Sequence, residues 1–429
     1  MKDLVLELSF DGGKCNISIP AGSLLGIPKV HDVPAIGDPV QAIIESLRNP
    51  AGSKRLKDLA SPGKRVALIV PDLTRPMPLK MVVPAVLEEL NLAGVDDSDI
   101  TIVLALGTHR PMTHEEIRAM LGTEVLSKVR VVNHNWSDPN NLIDMGTTQL
   151  GTPIKVNRLV YEADLKIGIG SVKPHRSAGW SGGGKIIDPG VCGSETIGWT
   201  HWRSVDFAAQ DIMGKVDNPI RREMEAVAGQ VGLDFIVNVV LNRHDEIAFV
   251  SSGHFVLAHR ECVEFAEKMY RVDLPGKADI LISGAGPWAT DFWAAVAGLF
   301  MAEFLVRDGG TVVLAAGCPD GIAPEHPEIL KFGYPRFEEI KALVETGQIQ
   351  DLSAASHMAL TSRILWGKQV ECILVSRGID KETATKLGLS WADSPQEAVD
   401  RAFAKHGSGA RAYVLPADDI ADTLVLPSI

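Results

Sequence analysis

The sequence predicts an α/β protein made of two α/β domains with mainly parallel sheets. Residues 66–70 and 100–106 form continuous apolar runs, which are typical of parallel strands that are buried on both faces. Such runs are followed by a polar loop and then by a helical segment, and this order restarts after Lys277. At 429 residues, the chain is also longer than one ordinary hydrophobic core allows. These observations favour two doubly wound domains.

The domain boundary is predicted near Pro275-Gly276, between the last helix of the first pattern and the first strand of the second. We therefore expect residues 1–275 to form an N-terminal α/β domain that carries the candidate site. Residues 276–429 are expected to form a smaller C-terminal α/β domain that closes over the site, which would lie in the interdomain cleft. The tail after residue 416 either stays in this domain or returns to the first.

The elements follow from apolar periodicity, taken in chain order. In the first domain, strands are predicted within 1–20 (a pair around Asp11-Gly12-Gly13) and at 65–70, 100–106, 129–133, 163–169, 235–241 and 246–251. Helices are predicted at 39–48, 79–94, 219–232 and 257–271, and the capping box of Thr113 and Glu116 begins another. In the second domain, strands are predicted at 278–286, 310–317, 370–376 and 410–415, and helices at 292–306 and 335–347.

Charge and cysteine content limit the class of protein. The formal net charge is −12 and no basic cluster offsets it, so we expect no nucleic-acid partner. No apolar run approaches the ~20 residues of a membrane-spanning helix, and the first residues alternate like a strand instead of a signal peptide. The five cysteines are scattered, without a CxxC pair, which favours reduced thiols and a cytoplasmic protein.

Polar side chains of the kinds that carry chemistry directly follow the predicted strands of the first domain. These side chains are Asp72, Arg75, His109, His134 and His175. Because ligands of doubly wound sheets bind at the carboxyl ends of the strands, this placement predicts a ligand site there. A structural role is the alternative for each of them, and we interpret His134 as structural or as a support of the site.

The stretch 171–201 packs a glycine triplet and a lysine between two histidines. Gly182, Gly183 and Gly184 precede Lys185, and His175 and His201 stand on either side. Glycines let a backbone approach a ligand where a Cβ atom would clash, and their N–H groups can hold an anion. The alternative interpretation is a flexible surface loop.

This stretch matches a phosphate-binding loop only as far as its lysine. Gly179-x-x-x-x-Gly184-Lys185 fits the pattern, but Ile186 replaces the serine or threonine that would bind magnesium. Asp188-Pro189-Gly190 then favours a bend where the phosphate-binding loop would continue into a helix. The sequence therefore argues against a nucleoside triphosphatase.

Three blocks together resemble the nickel-pincer lactate racemase family. They are Asp72-Leu-Thr-Arg75-Pro76, Gly107-Thr108-His109-Arg110-Pro111, and Ser181-Gly-Gly-Gly-Lys185 between His175 and His201. Each block alone is weakly specific, whereas the three in this order and at these separations are specific together. The resemblance spans most of the chain.

The resemblance implies a racemase or epimerase of a 2-hydroxy acid. The C2 proton of such an acid is far too weakly acidic for a histidine to remove. An easier route transfers a hydride from C2 while a base takes the hydroxyl proton, which gives a transient 2-keto acid. Side chains supply no hydride acceptor. The family's acceptor is a nickel-bearing pyridinium-3,5-bisthiocarboxylate mononucleotide, the pincer, bound covalently to a lysine.

The resemblance also implies a role for each residue by position. Lys185 would be the attachment residue, His201 the nickel ligand, His109 and His175 the two acid/base residues, and Arg75 the group that holds the substrate carboxylate. Asp72 would orient either Arg75 or a histidine. Gly182, Gly183 and Gly184 would contact the cofactor, and Trp366 would stack on its pyridinium ring. The residue types suit these tasks, since histidine titrates near neutral pH and binds nickel and arginine binds carboxylates through two hydrogen bonds.

One departure from the family concerns the substrate. Lactate-specific relatives carry a glutamine and a lysine in the loop after the first strand of the second domain, where this chain has Ala294 and Ala297. Trp288, Phe292 and Trp293 lie nearby, so we expect a larger or more apolar 2-hydroxy acid, or a sugar acid, in contact with Trp288. Phe292 and Trp293 as ordinary core residues are the alternative.

Two other functions are kept as alternatives. A nicotinamide-dependent 2-hydroxyacid dehydrogenase would need a Gly-x-Gly-x-x-Gly turn, and Gly284-Ala-Gly286-Pro287 lacks the third glycine. A non-catalytic homologue that binds a metal or an anion is the other alternative. The partners expected for the racemase are its 2-hydroxy acid and the enzymes that synthesise the cofactor, with a homo-oligomer possible.

Overall fold

The computed structural model describes residues 3–286, 289–417 and 426–428. Its strands, in chain order, are β1 (Leu4–Phe10), β2 (Gly13–Ile19), β3 (Leu24–Gly26), β4 (Val66–Pro71), β5 (Ile100–Ala105), β6 (Arg130–Asn133), β7 (Leu142–Thr147), β8 (Pro153–Asn157), β9 (Leu165–Ser171), β10 (Pro174–His175), β11 (Gly179–Trp180), β12 (Phe235–Leu241), β13 (Ile247–Gly253), β14 (Arg271–Asp273), β15 (Ala278–Gly284), β16 (Val306–Ala315), β17 (Glu371–Val375), β18 (Ser390–Trp391), β19 (Ala412–Leu415) and β20 (Leu426–Ser428).

The α-helices, in chain order, are α1 (Pro39–Arg48), α2 (Leu56–Leu59), α3 (Leu79–Leu92), α4 (His114–Lys128), α5 (Arg158–Glu162), α6 (Ser194–Ser204), α7 (Ala209–Ile212), α8 (Pro219–Val231), α9 (Leu257–Tyr270), α10 (Phe292–Ala295), α11 (Ala297–Phe300), α12 (Ala302–Leu305), α13 (Pro327–Phe332), α14 (Phe337–Glu345), α15 (Leu352–Ser362), α16 (Lys381–Lys386) and α17 (Pro395–His406). The predicted capping box of Thr113 and Glu116 begins α4. In the part of the chain that the structure describes, no helix is both long and apolar enough to cross a membrane.

The chain divides into two compact units, and each combines separate stretches of sequence. The first unit contains residues 32–204 and 211–269, and the second contains residues 1–31, 205–210 and 270–429. This differs from the predicted domain of residues 1–275, because β3 pairs with β19 in the second unit. Leu8 and Ile17 of the β1–β2 hairpin also pack in that unit's core. A three-residue strand has no periodicity that would identify its partner.

The first unit is built on a six-stranded sheet with the order β13-β12-β9-β4-β5-β6. All neighbours are parallel except β12 and β13, which form the predicted hairpin. Strand β4 explains the continuous apolar run: Leu68 and Val70 belong to one hydrophobic core and Ala67 and Ile69 to another, on the opposite face. The predicted mainly parallel, doubly wound arrangement is confirmed.

The second unit has its own six-stranded sheet with the order β18-β17-β16-β15-β19-β3 and parallel neighbours throughout. The continuous helix predicted at 292–306 is wrong. The structure has three four-residue helices instead, and β16 already begins at Val306. Gly298 lies directly against Ser283 of β15, where a Cβ atom would come within 2.4 Å of the Ser283 hydroxyl. A run that is apolar throughout gave no signal for these breaks.

Candidate functional site

The carboxyl ends of β4 and β5 bring Asp72 and His109 together. The Asp72 side chain is buried, and its Oδ2 lies 2.6 Å from His109 Nδ1. Burial opposes ionisation of Asp72, but the charge and hydrogen bond of His109, with contributions from Arg75 and Thr74, lower its pKa to about 2. The carboxylate therefore accepts the Nδ1–H bond, and His109 keeps a lone pair on Nε2.

Arg75 is positioned by the turn that follows β4. Thr74 Oγ1 donates to Asp72 Oδ1 at 2.6 Å, and Arg75 Nη1 donates to Thr74 Oγ1 at 2.9 Å. Asp72 is thus oriented by two side-chain donors, the Thr74 hydroxyl and the His109 imidazole. Through Thr74 it in turn holds the segment that carries the Arg75 guanidinium. The predicted link between Asp72 and Arg75 runs through Thr74.

The glycine-rich segment is mostly buried, contrary to the alternative of a flexible surface loop. Between Ser171 and Gly190, only His175, Gly182, Lys185 and Pro189 keep intermediate exposure, and every other residue is buried. The hairpin β10–β11 pairs His175 with Gly179, and a short 3-10 helix follows at Gly183–Ile186. The segment therefore presents a histidine and a lysine from a packed support.

Three side chains that the sequence gave no reason to select hold this segment in place. Arg221 of α8 is fully buried and donates to the carbonyl oxygens of Ala178, Trp180 and Gly182. Asn238 of β12 accepts from the Gly183 N–H at 2.8 Å, and His259 of α9 bonds the Ser181 carbonyl oxygen at 2.9 Å. Their sequence neighbourhoods carry no motif, so only the tertiary structure identifies them.

The glycine triplet is explained first by packing. Gly182 and Gly183 have φ angles of 75° and 60°, in the left-handed region. A Cβ atom on Gly182 would lie 2.7 Å from Asn238 Oδ1, and one on Gly183 would lie 2.9 Å from the His259 ring. The Gly183 N–H is already bonded to Asn238, so it serves the fold and not an anion.

His175 and Lys185 form a direct hydrogen bond. Lys185 Nζ lies 3.0 Å from His175 Nε2, and the Ser177 backbone N–H donates to His175 Nδ1 at 3.2 Å. Since Nδ1 accepts a hydrogen bond, the proton of the neutral ring is on Nε2. The Nε2–H bond is then donated to Lys185 Nζ, which accepts it as an unprotonated amine.

The electrostatic surroundings favour the same protonation states. Burial, followed by the positive charges of Lys185, Arg75 and other cations, lowers the pKa of His175 well below its ordinary value. Burial, followed by Arg75 and Arg221, lowers the pKa of Lys185 well below its ordinary value, and Asp188 opposes this only in part. Both shifts favour the neutral forms of the two groups.

His201 is oriented within α6. Its Nδ1 lies 2.8 Å from the carbonyl oxygen of Ile197, one turn earlier in the helix. Because a carbonyl only accepts, Nδ1 carries the proton and Nε2 carries the lone pair, which is the form that binds a metal ion. His201 is also close enough to His175 to lower its pKa by charge.

Asp188 is a buried carboxyl that the sequence prediction treated only as part of a bend. Burial raises its pKa to about 7, against the opposing effects of a hydrogen bond from Thr200 and the charge of Lys185. Its Oδ2 has no hydrogen-bond partner among the described residues. A protonated Asp188 near neutral pH explains how this carboxyl is tolerated in the interior.

The remaining predicted residues lie elsewhere. His134 is buried and bonds the Cys192 carbonyl oxygen, so its contacts are structural. Trp366 belongs to the second unit, where it donates to the Tyr334 carbonyl oxygen and lies under the Arg336 guanidinium. Trp288 lies outside the described residues.

Phe292 and Trp293, which follow Trp288 in the sequence, are in the second unit and differ from each other in burial. Phe292 is fully buried, as a core residue would be. Trp293 is partly exposed and stacks between two imidazoles, with ring centroids 4.1 Å from His326 and 4.6 Å from His357. The simple core interpretation therefore holds for Phe292 and fails for Trp293.

The sequence matches two protein-family descriptions. One is "Lactate racemase N-terminal domain", over residues 10–211, and the other is "Lactate racemase C-terminal domain", over residues 275–421. A lactate racemase from Lactiplantibacillus plantarum is 30% identical over 381 residues, which are 88% of this chain and 89% of the relative. A lactate racemase from Thermoanaerobacterium thermosaccharolyticum is 31% identical over 323 residues, 74% of this chain and 75% of the relative.

Solved structures agree with these matches. The lactate racemase apoprotein from Thermoanaerobacterium thermosaccharolyticum superposes with a TM-score of 0.85 at 27% identity, covering 99% of this chain and all of the other. A crystal structure of a Thermotoga maritima protein has the same fold, with a TM-score of 0.72 at 22% identity over 89% of this chain and 97% of the other. By sequence and by fold, the chain belongs to the lactate racemase family.

Proposed function

We propose that the protein is a racemase or epimerase of a 2-hydroxy acid that uses a nickel-pincer nucleotide attached to Lys185. Membership in the lactate racemase family makes it an isomerase. The observation that carries the finer proposal is the presence, in one unit, of two oriented histidines and a lysine that is bonded to one of them. His109 is bonded to Asp72, and His175 is bonded to Lys185.

The donor atoms present fit such a cofactor. Lys185 is partly exposed, and its lowered pKa favours the unprotonated amine, which is the form that attacks an acyl or thioacyl carbon. His201 has its lone pair on Nε2. The described residues contain no group of three or more histidine, cysteine or acidic side chains able to hold a metal ion. A nickel ion at His201 would therefore take most of its ligands from a non-protein group, as a pincer provides.

The protein's own residues would divide the remaining work. When bound, the cofactor supplies the hydride acceptor that side chains lack. Arg75 would bind the substrate carboxylate through its guanidinium, against the overall negative charge of the chain. His109 Nε2 would accept the hydroxyl proton of one enantiomer, while Asp72 stabilises the imidazolium that forms.

His175 would act on the other enantiomer. Once the Lys185 amine is acylated, its lone pair no longer accepts the Nε2–H bond, and that N–H can donate to the substrate oxygen. Return of the proton from one histidine or the other then gives the two configurations. His175 can return a proton only as an imidazolium, and the positive charges around it, which lower its pKa, make that imidazolium a stronger acid.

The substrate we favour is larger than lactate or is a sugar acid. Ala294 lies within α10 and Ala297 begins α11, where the lactate-specific pattern has long polar side chains. A dehydrogenase is disfavoured because a Cβ atom on Gly284 would lie 2.6 Å from the Ser9 carbonyl oxygen, so that glycine is needed for packing. A non-catalytic homologue stays as the second candidate, since the two alanines remove polar groups.

Production of the protein together with the pincer-synthesis enzymes tests the proposal. We expect an adduct of one mononucleotide on the Lys185 peptide, about one nickel per chain, and racemisation of a member of a panel of chiral 2-hydroxy acids. Lys185→Arg is the matched control, because it keeps a long nitrogen-bearing side chain but should lose the adduct. An adduct without turnover on any panel member would favour the binding homologue. Absence of both adduct and nickel, under conditions that load a known racemase, would refute the proposal.

A further inference from the structure

We propose that His175 has a task before turnover, in which it holds Lys185 as an unprotonated amine, and that acylation of Lys185 in turn releases His175 for the substrate. One hydrogen bond, 3.0 Å between Nε2 and Nζ, would thus link cofactor attachment to catalytic competence. The inference rests on the proposed function only in taking Lys185 as the attachment residue. In attachment, His175 is a positioning residue.

The direction of this hydrogen bond follows from the turn that carries His175. The Ser177 N–H points at Nδ1 with a distance of 3.2 Å, and a backbone N–H can only donate. A neutral imidazole with a lone pair on Nδ1 must carry its proton on Nε2. If Lys185 were an ammonium group, it would need a lone pair on Nε2, and the proton would move to Nδ1, facing the Ser177 N–H. The Nδ1–H of His175 and the N–H of Ser177 would then point at each other without an acceptor between them.

The support around the pair keeps this geometry from relaxing. His175 is fixed in the β10–β11 hairpin, and that hairpin is bonded to the fully buried Arg221 through Ala178 and Trp180. Lys185 stands in the short helix at Gly183–Ile186, whose first N–H is bonded to Asn238. The pair is partly exposed, so reagents can reach it although its support is buried.

Charged groups from several elements surround the pair and act in the same sense. Arg75 after β4, Arg221 of α8 and Lys173 before β10 disfavour an ammonium group at Lys185, and Asp188 alone favours it. Lys185, Arg75, His201 and Arg221 disfavour an imidazolium at His175. The hydrogen bond between His175 and Lys185 and the charges around them therefore favour the same protonation states, in which both groups are neutral.

Acylation of Lys185 removes its hydrogen bond with His175. The Nζ lone pair forms a bond to the acyl carbon, the leaving group departs with its electron pair, and one N–H proton is released to water. The amide nitrogen that results no longer accepts a hydrogen bond. The Nε2–H bond of His175 then has no acceptor on Lys185 and is available to a substrate oxygen.

The tautomer of His175 is the first test, measured on the unloaded protein. Histidine labelled with nitrogen-15 allows long-range proton–nitrogen correlation to report which ring nitrogen carries the proton, and His175→Gln assigns the signal. We expect the Nε2–H tautomer from pH 6 to 8. An Nδ1–H tautomer, or an imidazolium near pH 7, would overturn the inference.

The reactivity of Lys185 is the second test. Limiting acetic anhydride is applied to the unloaded protein, and the rate at each lysine peptide is measured by mass spectrometry. His175→Asn keeps an oxygen that can accept the Ser177 N–H, but its shorter side chain has no donor at the position of Nε2, which contacts Lys185. We expect acetylation of Lys185 at pH 7 to slow at least about tenfold in this variant, because each unit of pKa recovered lowers the free-amine fraction tenfold.

His109→Asn is the matched control, since His109 bonds to Asp72 and not to Lys185. It should leave the acetylation rate of Lys185 unchanged. Equal rates in wild type and His175→Asn would overturn the inference. Because both tests use unloaded protein, their failure is separate from failure of the proposed function, which is read from the adduct, nickel and racemisation.

Discussion

The two histidines proposed as acid/base residues have opposite surroundings. His109 faces a buried carboxylate, which accepts its Nδ1–H bond. His175 faces a lysine amine and several cations, which disfavour an imidazolium. In the first residue Nε2 carries a lone pair, and in the second it carries a proton. The neighbours thus make Nε2 of one histidine a hydrogen-bond acceptor and Nε2 of the other a hydrogen-bond donor.

The difference teaches that residue type alone does not define these roles. Both histidines follow a parallel strand, and both are partly exposed among buried neighbours. A racemase has to act on two mirror-image substrates, and two histidines with different tautomers can accept a hydrogen bond from the substrate on one side and donate one to it on the other. Variants that equalise the two surroundings test this interpretation.

The largest expected effect comes from Asp72→Asn in the loaded enzyme. The amide would donate to His109 Nδ1 and move the ring proton to Nε2, so His109 would resemble His175. We expect racemisation to fall by about 10²- to 10⁴-fold, as is usual when an acid/base histidine loses its carboxylate. Initial rates measured from each enantiomer check this.

The adduct on Lys185 is the control for Asp72→Asn, because Asp72 does not contact Lys185. Its mass should appear as in the wild type, together with nickel. Unchanged racemisation would show that the Asp72–His109 hydrogen bond does not determine the function of this histidine.

A smaller effect is expected from Arg221→Met, which alters the surroundings of His175. The change leaves the carbonyl oxygens of Ala178, Trp180 and Gly182 without their buried donor. We expect the free energy of unfolding to fall by about 3 kcal/mol, since each unpaired buried group costs about 1–3 kcal/mol. Urea unfolding followed by circular dichroism measures it.

Arg222→Met is the matched control for Arg221→Met. Arg222 is the next residue on the same helix, is exposed, and bonds Asp217. It should leave the unfolding midpoint essentially unchanged. Equal losses in the two variants would mean that Arg221 stabilises α8 in general and not the segment that carries His175 and Lys185.

The two buried carboxyls of the site should respond to pH in opposite directions. The pKa of Asp188 is raised to about 7, so its contribution to stability is complete below pH 4 and is lost as the pH rises to 7. The pKa of Asp72 is lowered to about 2, so its contribution is present above pH 4 and is lost as the pH falls towards 2. Asp188 is beside Lys185, and Asp72 is beside His109.

The stability difference between wild type and Asp188→Asn measures the first of these effects. Relative to the variant, the wild type should lose at most about 1.4 kcal/mol per pH unit between pH 4.5 and 7. Urea unfolding over this range measures the slope, and Asp72→Asn should keep it. A flat difference would show that Asp188 is ionised throughout and paired with a cation.

Much of the site's location could be predicted from the sequence, because it follows from strand order. Continuous apolar runs identified β4, β5 and β9, and parallel strands place the residues after them at one edge of the sheet. That argument led to Asp72, Arg75, His109 and His175 without any knowledge of contacts. The roles proposed for Lys185, as attachment residue, and for His201, as nickel ligand, came from the resemblance.

The support of the site could not be predicted in the same way. Arg221, Asn238 and His259 act through backbone groups of a distant segment, and such contacts leave no periodicity or motif. The glycine triplet was interpreted as an anion cradle, whereas close approach to Asn238 and His259 explains two of the three glycines. The tautomers of His109 and His175 also depend on neighbours that only the fold brings together.

The smallest effect on racemisation is expected from a change at a third histidine, His134. Because its contacts are structural, it serves as a reference for the comparison of His109 with His175. It is 1% exposed, donates from Nε2 to the Cys192 carbonyl oxygen at 2.8 Å, and accepts from Asn157 at 3.0 Å. Burial lowers its pKa to about 4, so it stays neutral. His134→Gln should lower the free energy of unfolding by about 1 kcal/mol through poorer hydrogen bonds and leave racemisation within about twofold. A large loss of turnover without a loss of stability would mean that the site uses three histidines, and the two-histidine comparison would have to be abandoned.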